Sequence, residues 1–249
     1  MQNIKLLVAY DGTRYLGWQK TSMGLSIEES LQEALEQILQ HPVALQAASR
    51  TDAGVHAVGQ VVNFITPRLD LDLNRLKISL NSLLHHDLVV LDAVRMDPHF
   101  HPTLDCLSKE YRYYICYGPT QLPQHRFYSW HYHYNLNLDR MRDAAGCFLG
   151  LHDFSAFCNA RKNRHYTHYE RSIEELEIIE LEEKRVCMRI KGPNFLYKMV
   201  RNIIGTLAYV GNQKLQPDQI PEILRSQNRV LAGMTAPAHG LFLQRVFYP

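Results

Sequence analysis

The chain begins without a leading apolar segment. Met1-Gln-Asn-Ile-Lys5 runs straight into Leu-Leu-Val-Ala-Tyr10, which is too short and too polar at its flanks for a signal peptide or a membrane span. The cytoplasm is therefore the expected compartment, with no membrane partner. Paired cysteine is also missing. The five cysteines (Cys106, Cys116, Cys147, Cys158 and Cys187) are odd in number and form no Cys-x-x-Cys, which argues against a disulfide framework or a thiolate zinc site. They are expected to act as small buried apolar residues. There is no Gly-rich phosphate loop, no G-x-S-x-G elbow and no dinucleotide fingerprint, so neither nucleotide-driven nor serine-hydrolase chemistry is indicated and no nucleotide cofactor is expected. Thirteen histidines invite a metal, with His131 and His133, His99 and His101, and adjacent His85 and His86 as candidate pairs. None joins a nearby Glu in the zinc-protease pattern, and no metal is expected. What remains is carboxylate chemistry without a cofactor.

What is present is an ordinary globular composition, 46% apolar and 21% charged over 249 residues, enough for one large or two small domains with a substantial core. The net charge of +2 excludes nothing, because RNA binding needs a basic surface rather than a basic total. Six glutamates fall between Glu174 and Glu183, while Arg161-Lys-Asn-Arg164, Arg171, Lys191, Lys198 and Arg201 surround them in sequence. Such segregation sets one face against phosphate; a normally mixed surface is the plainer alternative.

Hydrophobic periodicity predicts a strand over Ile4–Tyr10 and a polar loop from Asp11 to Gly24. The Ser26-Ile-Glu-Glu29 capping box opens a helix carrying Ile27, Leu31, Leu35, Ile38 and Leu39 until His41-Pro42 stops it. Strands are expected at Val43–Ala48 and Val58–Ile65, a helix at Asp72–Leu84, and strands at Leu88–Met96 and Lys109–Tyr117. The later half predicts a helix from Leu138 to Leu149, strands near Ile173–Leu181 and Arg185–Lys191, and a helix from Asn194 to Val210. A short helix near Pro217 and a last strand at Leu241–Phe247 complete it. Hairpin-linked strands with interspersed helices favour an α+β fold. The prolines between Asp97 and Tyr134 mark a join placed near Asp105, giving halves 1–105 and 106–249.

Three places carry candidate chemistry. In Arg50-Thr-Asp52-Ala-Gly54, a cation and a carboxylate bracket a threonine on a tight loop between strands. An arginine beside a carboxylate keeps it ionised and aimed, as a nucleophile or base requires; an Asx-type turn with Gly54 at positive φ is the structural alternative. Tyr111, Tyr113, Ile115 and Tyr117 share one strand face, where rings either stack on bases or fill the core. Lys198 and Arg201 flank the apolar stripe Phe195, Met199, Ile203 and Leu207, so a mostly buried helix still presents two cations at its edge. Arg201 reaches a phosphate, Asp52, or only a surface ion pair.

Five motifs in order span nearly the whole chain: Tyr10-Asp-Gly-Thr-Arg-Tyr-Leu-Gly-Trp-Gln19, Ser49-Arg-Thr-Asp-Ala-Gly-Val-His-Ala57 with Gly59-Gln-Val-Val62, Lys109-Glu-Tyr-Arg-Tyr113, Phe195-Leu-Tyr-Lys-Met-Val-Arg-Asn202, and Ala236-Pro-Ala-His-Gly-Leu241. Together they resemble the tRNA pseudouridine synthase A (TruA) family. The resemblance implies an isomerase that converts uridine to pseudouridine at positions 38 to 40 of the tRNA anticodon stem-loop, without cofactor or metal. It implies a homodimer binding tRNA, and two pseudosymmetric α+β halves with antiparallel sheets flanking a central basic cleft.

Carried over residue by residue, Asp52 is the expected catalyst, Arg50 its partner and an opener of the stem, Tyr111 the neighbour of the target base, and Arg201 a second partner of Asp52. Lys198, Arg14 and Leu243 are further expected substrate contacts. One departure is His101-Pro-Thr-Leu-Asp105, where Thr103 stands in place of an arginine common in the family. The rival reading is a non-catalytic tRNA-binding or RNA-folding protein of the same fold.

Overall fold

A computed structural model describes residues 1–160 and 166–249; the basic run Arg161–Arg164 lies outside the described residues. The elements in order are β1 (Gln2–Tyr10), α1 (Ile27–Leu39), β2 (Gln46–Ala47), β3 (His56–Thr66), α2 (Leu73–Leu83), β4 (Leu88–Met96), β5 (Ser108–Tyr117), β6 (Trp130–Tyr132), α3 (Leu138–Gly146), β7 (Gly150–Asp153), β8 (Glu170–Ile173), β9 (Glu175–Leu181), β10 (Arg185–Gly192), α4 (Met199–Gly211), α5 (Gln219–Ser226) and β11 (Leu241–Phe247). The fold is α+β with mostly antiparallel strand pairing. It divides into two compact units, Met1–Leu107 with Phe242–Pro249, and Ser108–Leu241. Among the described residues, no helix is long and apolar enough to cross a membrane.

In the first unit β1 pairs antiparallel with β3 on one side and β4 on the other, β2 lies on β3, and β11 runs parallel to the start of β3. Strand periodicity turns Ile4, Leu6, Val8 and Tyr10 of β1 inward, and all four are buried. α1 begins as its capping box requires, with Ser26 Oγ accepting the Glu29 N–H at 3.2 Å, and buries Ile27, Leu31, Leu35 and Leu39. It stops at Gln40, which takes a left-handed conformation (φ +59°). Asp72 caps α2 through the N–H groups of Asn74 and Arg75. The strand expected over Val43–Ala48 shrinks to Gln46–Ala47. Val43 instead gives its N–H to Glu36 Oε1 at 3.1 Å, drawing that segment to α1 and away from the sheet.

In the second unit β10 lies between β5 and β9, all antiparallel, with β6 parallel on β5 and a separate β7–β8 pair. The expected strand at Ile173–Leu181 is two strands, broken where the Glu174 N–H turns to the Lys191 carbonyl. Within the acidic run, two glutamates on β9 are paired with cations of β10. Glu175 and Glu177 sit directly across from Lys191 and Arg189, and both pairs are joined by ion pairs, at 3.2 and 2.6 Å.

α4 starts five residues later than expected. Lys198 holds φ +61°, a left-handed conformation that cannot propagate an α-helix, so Phe195 and Lys198 precede the helix and do not share its stripe. Once begun, α4 is apolar nearly all round; only Arg201 and Tyr209 among its residues escape full burial. α3 ends at Gly146, and Gly150 opens β7 where helix had been expected to reach Leu149. None of the five cysteines is in a disulfide. Cys116, Cys158 and Cys187 are buried as expected, whereas Cys106 and Cys147 are part-exposed.

Candidate active site

The Asp52 loop is assembled from main-chain contacts. The Asp52 carbonyl accepts the Val55 N–H at 3.1 Å, closing a four-residue turn whose third residue, Gly54, has φ +76°. This is the type II pattern, which needs a residue without Cβ at that point. The alternative to chemistry was an Asx-type turn, closed by the Asp52 side chain; the turn formed here is a β-turn. It uses the backbone carbonyl of Asp52, so a turn and an aimed side chain are compatible.

The segment after β1 buttresses this turn. Gly54 donates to the Tyr15 carbonyl at 3.3 Å, and the Trp18 N–H donates to the Thr51 carbonyl at 3.0 Å. At Gly12 a Cβ would lie 2.1 Å from the Val55 carbonyl oxygen, so only glycine allows the two segments to approach this closely. Asp87 secures the outer side, accepting the Tyr15 hydroxyl at 2.5 Å through its carboxylate and the Asp11 N–H at 2.8 Å through its carbonyl. Burial, and then the Asp87 carboxylate, raise the pKa of the Tyr15 phenol, which keeps it protonated as the donor.

Gln60, fully buried on β3, grips the approach to the turn. Its Nε2 donates to the Ser49 carbonyl at 2.6 Å and its Oε1 accepts the Ser49 N–H at 3.2 Å. Tyr10 Oη lies 2.8 Å from Thr51 Oγ1, between the candidate residues Arg50 and Asp52. His56, buried at the start of β3, stacks on Phe242 at 4.5 Å and accepts the Gly12 N–H at 3.1 Å. Asp52 itself is part-exposed and Arg50 is exposed.

Gln60, Tyr10, Gly12 and His56 all lie within the motifs quoted above, yet none was singled out. The available signal was a polar glutamine inside the apolar run Val58–Phe64, a pattern that calls for buried hydrogen bonding.

Arg14, also in the first unit, directs its guanidinium to His85 Nε2 at 2.7 Å and Asp87 Oδ2 at 3.4 Å. Leu243 lies opposite Ala57 in β11 and is fully buried, so as placed it is a core side chain. Thr103, in place of the family's arginine, donates to the Ala47 carbonyl at 2.8 Å and ties its own segment to β2.

Tyr111, Lys198 and Arg201 belong to the second unit. Tyr111 lies across from Ile190 on β5, nearly buried, with its ring edge-on to Phe195 at 5.3 Å. Tyr113, two residues on, is core. Its hydroxyl donates to the Pro237 carbonyl at 2.8 Å, and burial holds its phenol far above the usual range despite the nearby Arg201 charge.

Arg201 donates through Nε to the Ala236 carbonyl at 2.7 Å, while the Ala236 N–H returns to the Arg201 carbonyl at 3.1 Å. This reciprocal pair depends on the chain at Met234–Ala236 running against α4. A Cβ on Gly205 would lie 1.7 Å from the Met234 carbonyl oxygen.

Beside Arg201, buried Asn202 organises a polar network. Its Nδ2 donates to the Phe157 carbonyl (2.6 Å) and Asn159 Oδ1 (2.7 Å), while its Oδ1 accepts from Arg229 (2.9 Å) and Thr235 (2.7 Å). Lys198 places its ammonium 5.1 Å from the Tyr197 ring centroid. His239, half-buried, has its pKa lowered by burial and further by the Arg201 charge.

Among the described residues, no group of three or more His, Cys, Asp or Glu side chains is placed to hold a metal ion. What the first unit offers chemically is a carboxylate on a rigid turn; the second offers an arginine and a tyrosine on regular elements.

A family model described as tRNA pseudouridine synthase matches residues 6–102 and 144–249. Over 248 residues the chain is 58% identical to tRNA pseudouridine synthase A 2 of Protochlamydia amoebophila, covering 100% of this chain and 95% of that protein. It is 42% identical over 251 residues to tRNA pseudouridine synthase A of Bacillus pumilus, covering 98% of each. It is 40% identical over 251 residues to tRNA pseudouridine synthase A of Chlamydia felis, covering 100% of this chain and 92% of that protein. A solved complex of Cbf5, Nop10 and Gar1 contains a chain aligned over 96% of this one and 48% of its own length. With a TM-score of 0.40 and 15% identity, that likeness is too slight to build on.

Proposed function

This chain belongs to the tRNA pseudouridine synthase family, whose members are isomerases, and we propose that it converts uridine to pseudouridine at positions 38 to 40 of the tRNA anticodon stem-loop with Asp52 as catalyst. The observation that carries the assignment to Asp52 is its place on a turn that Gly54 closes and Gly12 buttresses. A carboxylate fixed in this way is preorganised before substrate arrives.

The reaction is an isomerisation. The bond from C1′ to N1 breaks, the uracil turns, C5 joins C1′, and the C5 proton is lost while N1 gains one, so no cofactor is needed for balance. The target base leaves the helix first, at a cost of a few kcal/mol. Asp52 acts on the displaced nucleotide by attack at C1′ or C6, or by removing the 2′ hydrogen to form a glycal. In the roles the family resemblance assigns, Arg50 and Arg201 partner the carboxylate, Tyr111 lies against the base and serves in its proton transfer, and Lys198 and Arg14 contact the RNA. The protein works as a homodimer in the cytoplasm.

The experiment is release of tritium from tRNA labelled at uracil C5, followed by mapping of the modified positions. Release at 38 to 40 is expected from the wild type. Efficient release confined to other positions, or none on several unmodified tRNAs, contradicts the reading.

A further inference from the structure

The second unit carries a concentration of rings and cations that the proposed chemistry does not use. Tyr166 and Tyr169 meet edge to face with centroids 5.7 Å apart, and the Arg171 guanidinium lies 5.6 Å from the Tyr166 ring centroid. Lys198 stands in the same relation to Tyr197, at 5.1 Å. The Tyr166 hydroxyl accepts the Tyr197 N–H at 3.0 Å, which binds the two cation–ring pairs into one patch. All five side chains are part-exposed.

The patch favours anions. Arg171 spends Nη1 on the Glu170 carbonyl at 2.5 Å, but its Nε is buried with no hydrogen-bond partner, which leaves a half-buried cation whose desolvation is only partly offset. Burial accordingly lowers its pKa. Lys198 sits at the start of α4, whose first turn holds no carboxylate. In sequence, Ala160–Arg171 contains Arg161, Lys162, Arg164 and Arg171 against Glu170 as its one acidic residue, although the patch itself consists only of described residues.

Tyrosines interleaved with cations match the needs of unpaired nucleotides. Every base offers a π-face to a ring, and every linking phosphate offers a charge to an arginine or lysine. Duplex RNA keeps its base faces stacked inside and offers phosphates and 2′-hydroxyls, which leaves the rings without a role.

We propose that Tyr166, Tyr169, Arg171, Tyr197 and Lys198 form a stacking platform for unpaired nucleotides of the tRNA substrate, outside the residues assigned to chemistry. The proposal rests on the reading of this chain as a tRNA-modifying enzyme, and it adds the substrate feature grasped and the residues that grasp it.

The test is filter binding of an unmodified tRNA transcript over a salt series, combined with tritium-release kinetics. Tyr166→Ala and Tyr169→Ala should each weaken tRNA binding about tenfold with the salt slope unchanged, since each removes a ring on which a base stacks and no charge. Arg171→Ala should lower the slope of log Kd against log salt by about one. Tyr166→Phe, which keeps the ring and loses the hydroxyl, should bind nearly as wild type does. In the three alanine variants KM should rise with affinity lost while the rate at saturating tRNA stays, and a single-stranded oligonucleotide should compete better than a blunt duplex.

Thermal melting identifies the folded variants, and Tyr169→Ala carries the test if Tyr166→Ala does not fold. Wild-type affinity and salt slope in the folded variants would overturn the platform. A loss confined to Arg171→Ala would also overturn it, because a bare phosphate contact needs no rings. An inactive wild type whose tRNA binding depends on these residues would sink the isomerase reading and leave the platform standing; an active enzyme indifferent to them would do the reverse.

Discussion

Asp52 and Arg201 are held in different ways. In the first unit the carboxylate rides on a turn fixed chiefly by main chain, through Val55, Tyr15 and Trp18, with Gly12 allowing the close approach. In the second, the arginine rides on a buried helix secured by side chains, with Asn202 at the centre and Arg229 and Thr235 around it. The difference teaches where each function is vulnerable. A turn held by backbone can lose its geometry with little loss of global stability, whereas a helix in the core can lose its support only by destabilising the unit.

The sharpest way to break this comparison is a matched pair of substitutions. Gly205→Ala puts a methyl 1.7 Å from the Met234 carbonyl oxygen, and Gly12→Ala puts one 2.1 Å from that of Val55. Gly205→Ala should cost about 3 kcal/mol or more of unfolding free energy. Gly12→Ala should cost clearly less while reducing pseudouridine formation to a few per cent at most. Denaturant midpoints and tritium release on both proteins check this, and equal stability losses would erase the distinction.

Asn202→Ala should follow, at about 2–4 kcal/mol, because Arg229 and Thr235 lose a buried acceptor and a cavity opens. Urea unfolding measures it. Gln60→Leu is the first-unit counterpart, at about 1–3 kcal/mol, since the Ser49 N–H and carbonyl lose their partner. Here the rate at saturating tRNA should fall further than stability alone explains, whereas Asn202→Ala protein kept below its unfolding transition should retain more of its rate.

The smallest effect concerns His239. Its folded pKa lies below the unfolded value, so the native state binds fewer protons. The neutral ring contributes stability that is present above the unfolded pKa of about 6.5 and is lost as pH falls toward the lower folded value. Unfolding midpoints at pH 7.5 and 5.5 should differ less in His239→Phe than in wild type.

The same contrast explains how much of the molecule was legible in its sequence. α1 was readable because its cap, apolar spacing and stop signal are local, and β1, β4 and β11 because alternation is local. The start of α4 was not, since apolar spacing runs back through Phe195 while the backbone at Lys198 turns left-handed, and nothing in the side-chain pattern reports φ. β2 shortened because Glu36, seven residues earlier, captures the Val43 N–H. In the site, the motifs pointed to Asp52, Arg50, Tyr111 and Arg201. The supports Gln60, Gly12 and Asn202 act through contacts 11 to 45 residues away along the chain, which spacing does not reveal. Leu243 stood among expected RNA contacts and is placed in the core, as a leucine on an alternating strand ordinarily is.

The most direct test of the central claim is tritium release by Asp52→Asn compared with wild type, on the same unmodified tRNA and with tRNA affinity and melting temperature measured in parallel. The account predicts that the variant folds, binds tRNA and releases no tritium above background, because the turn made by the residue 52 carbonyl survives while the carboxylate is gone. Sustained release by a folded Asp52→Asn protein would contradict it.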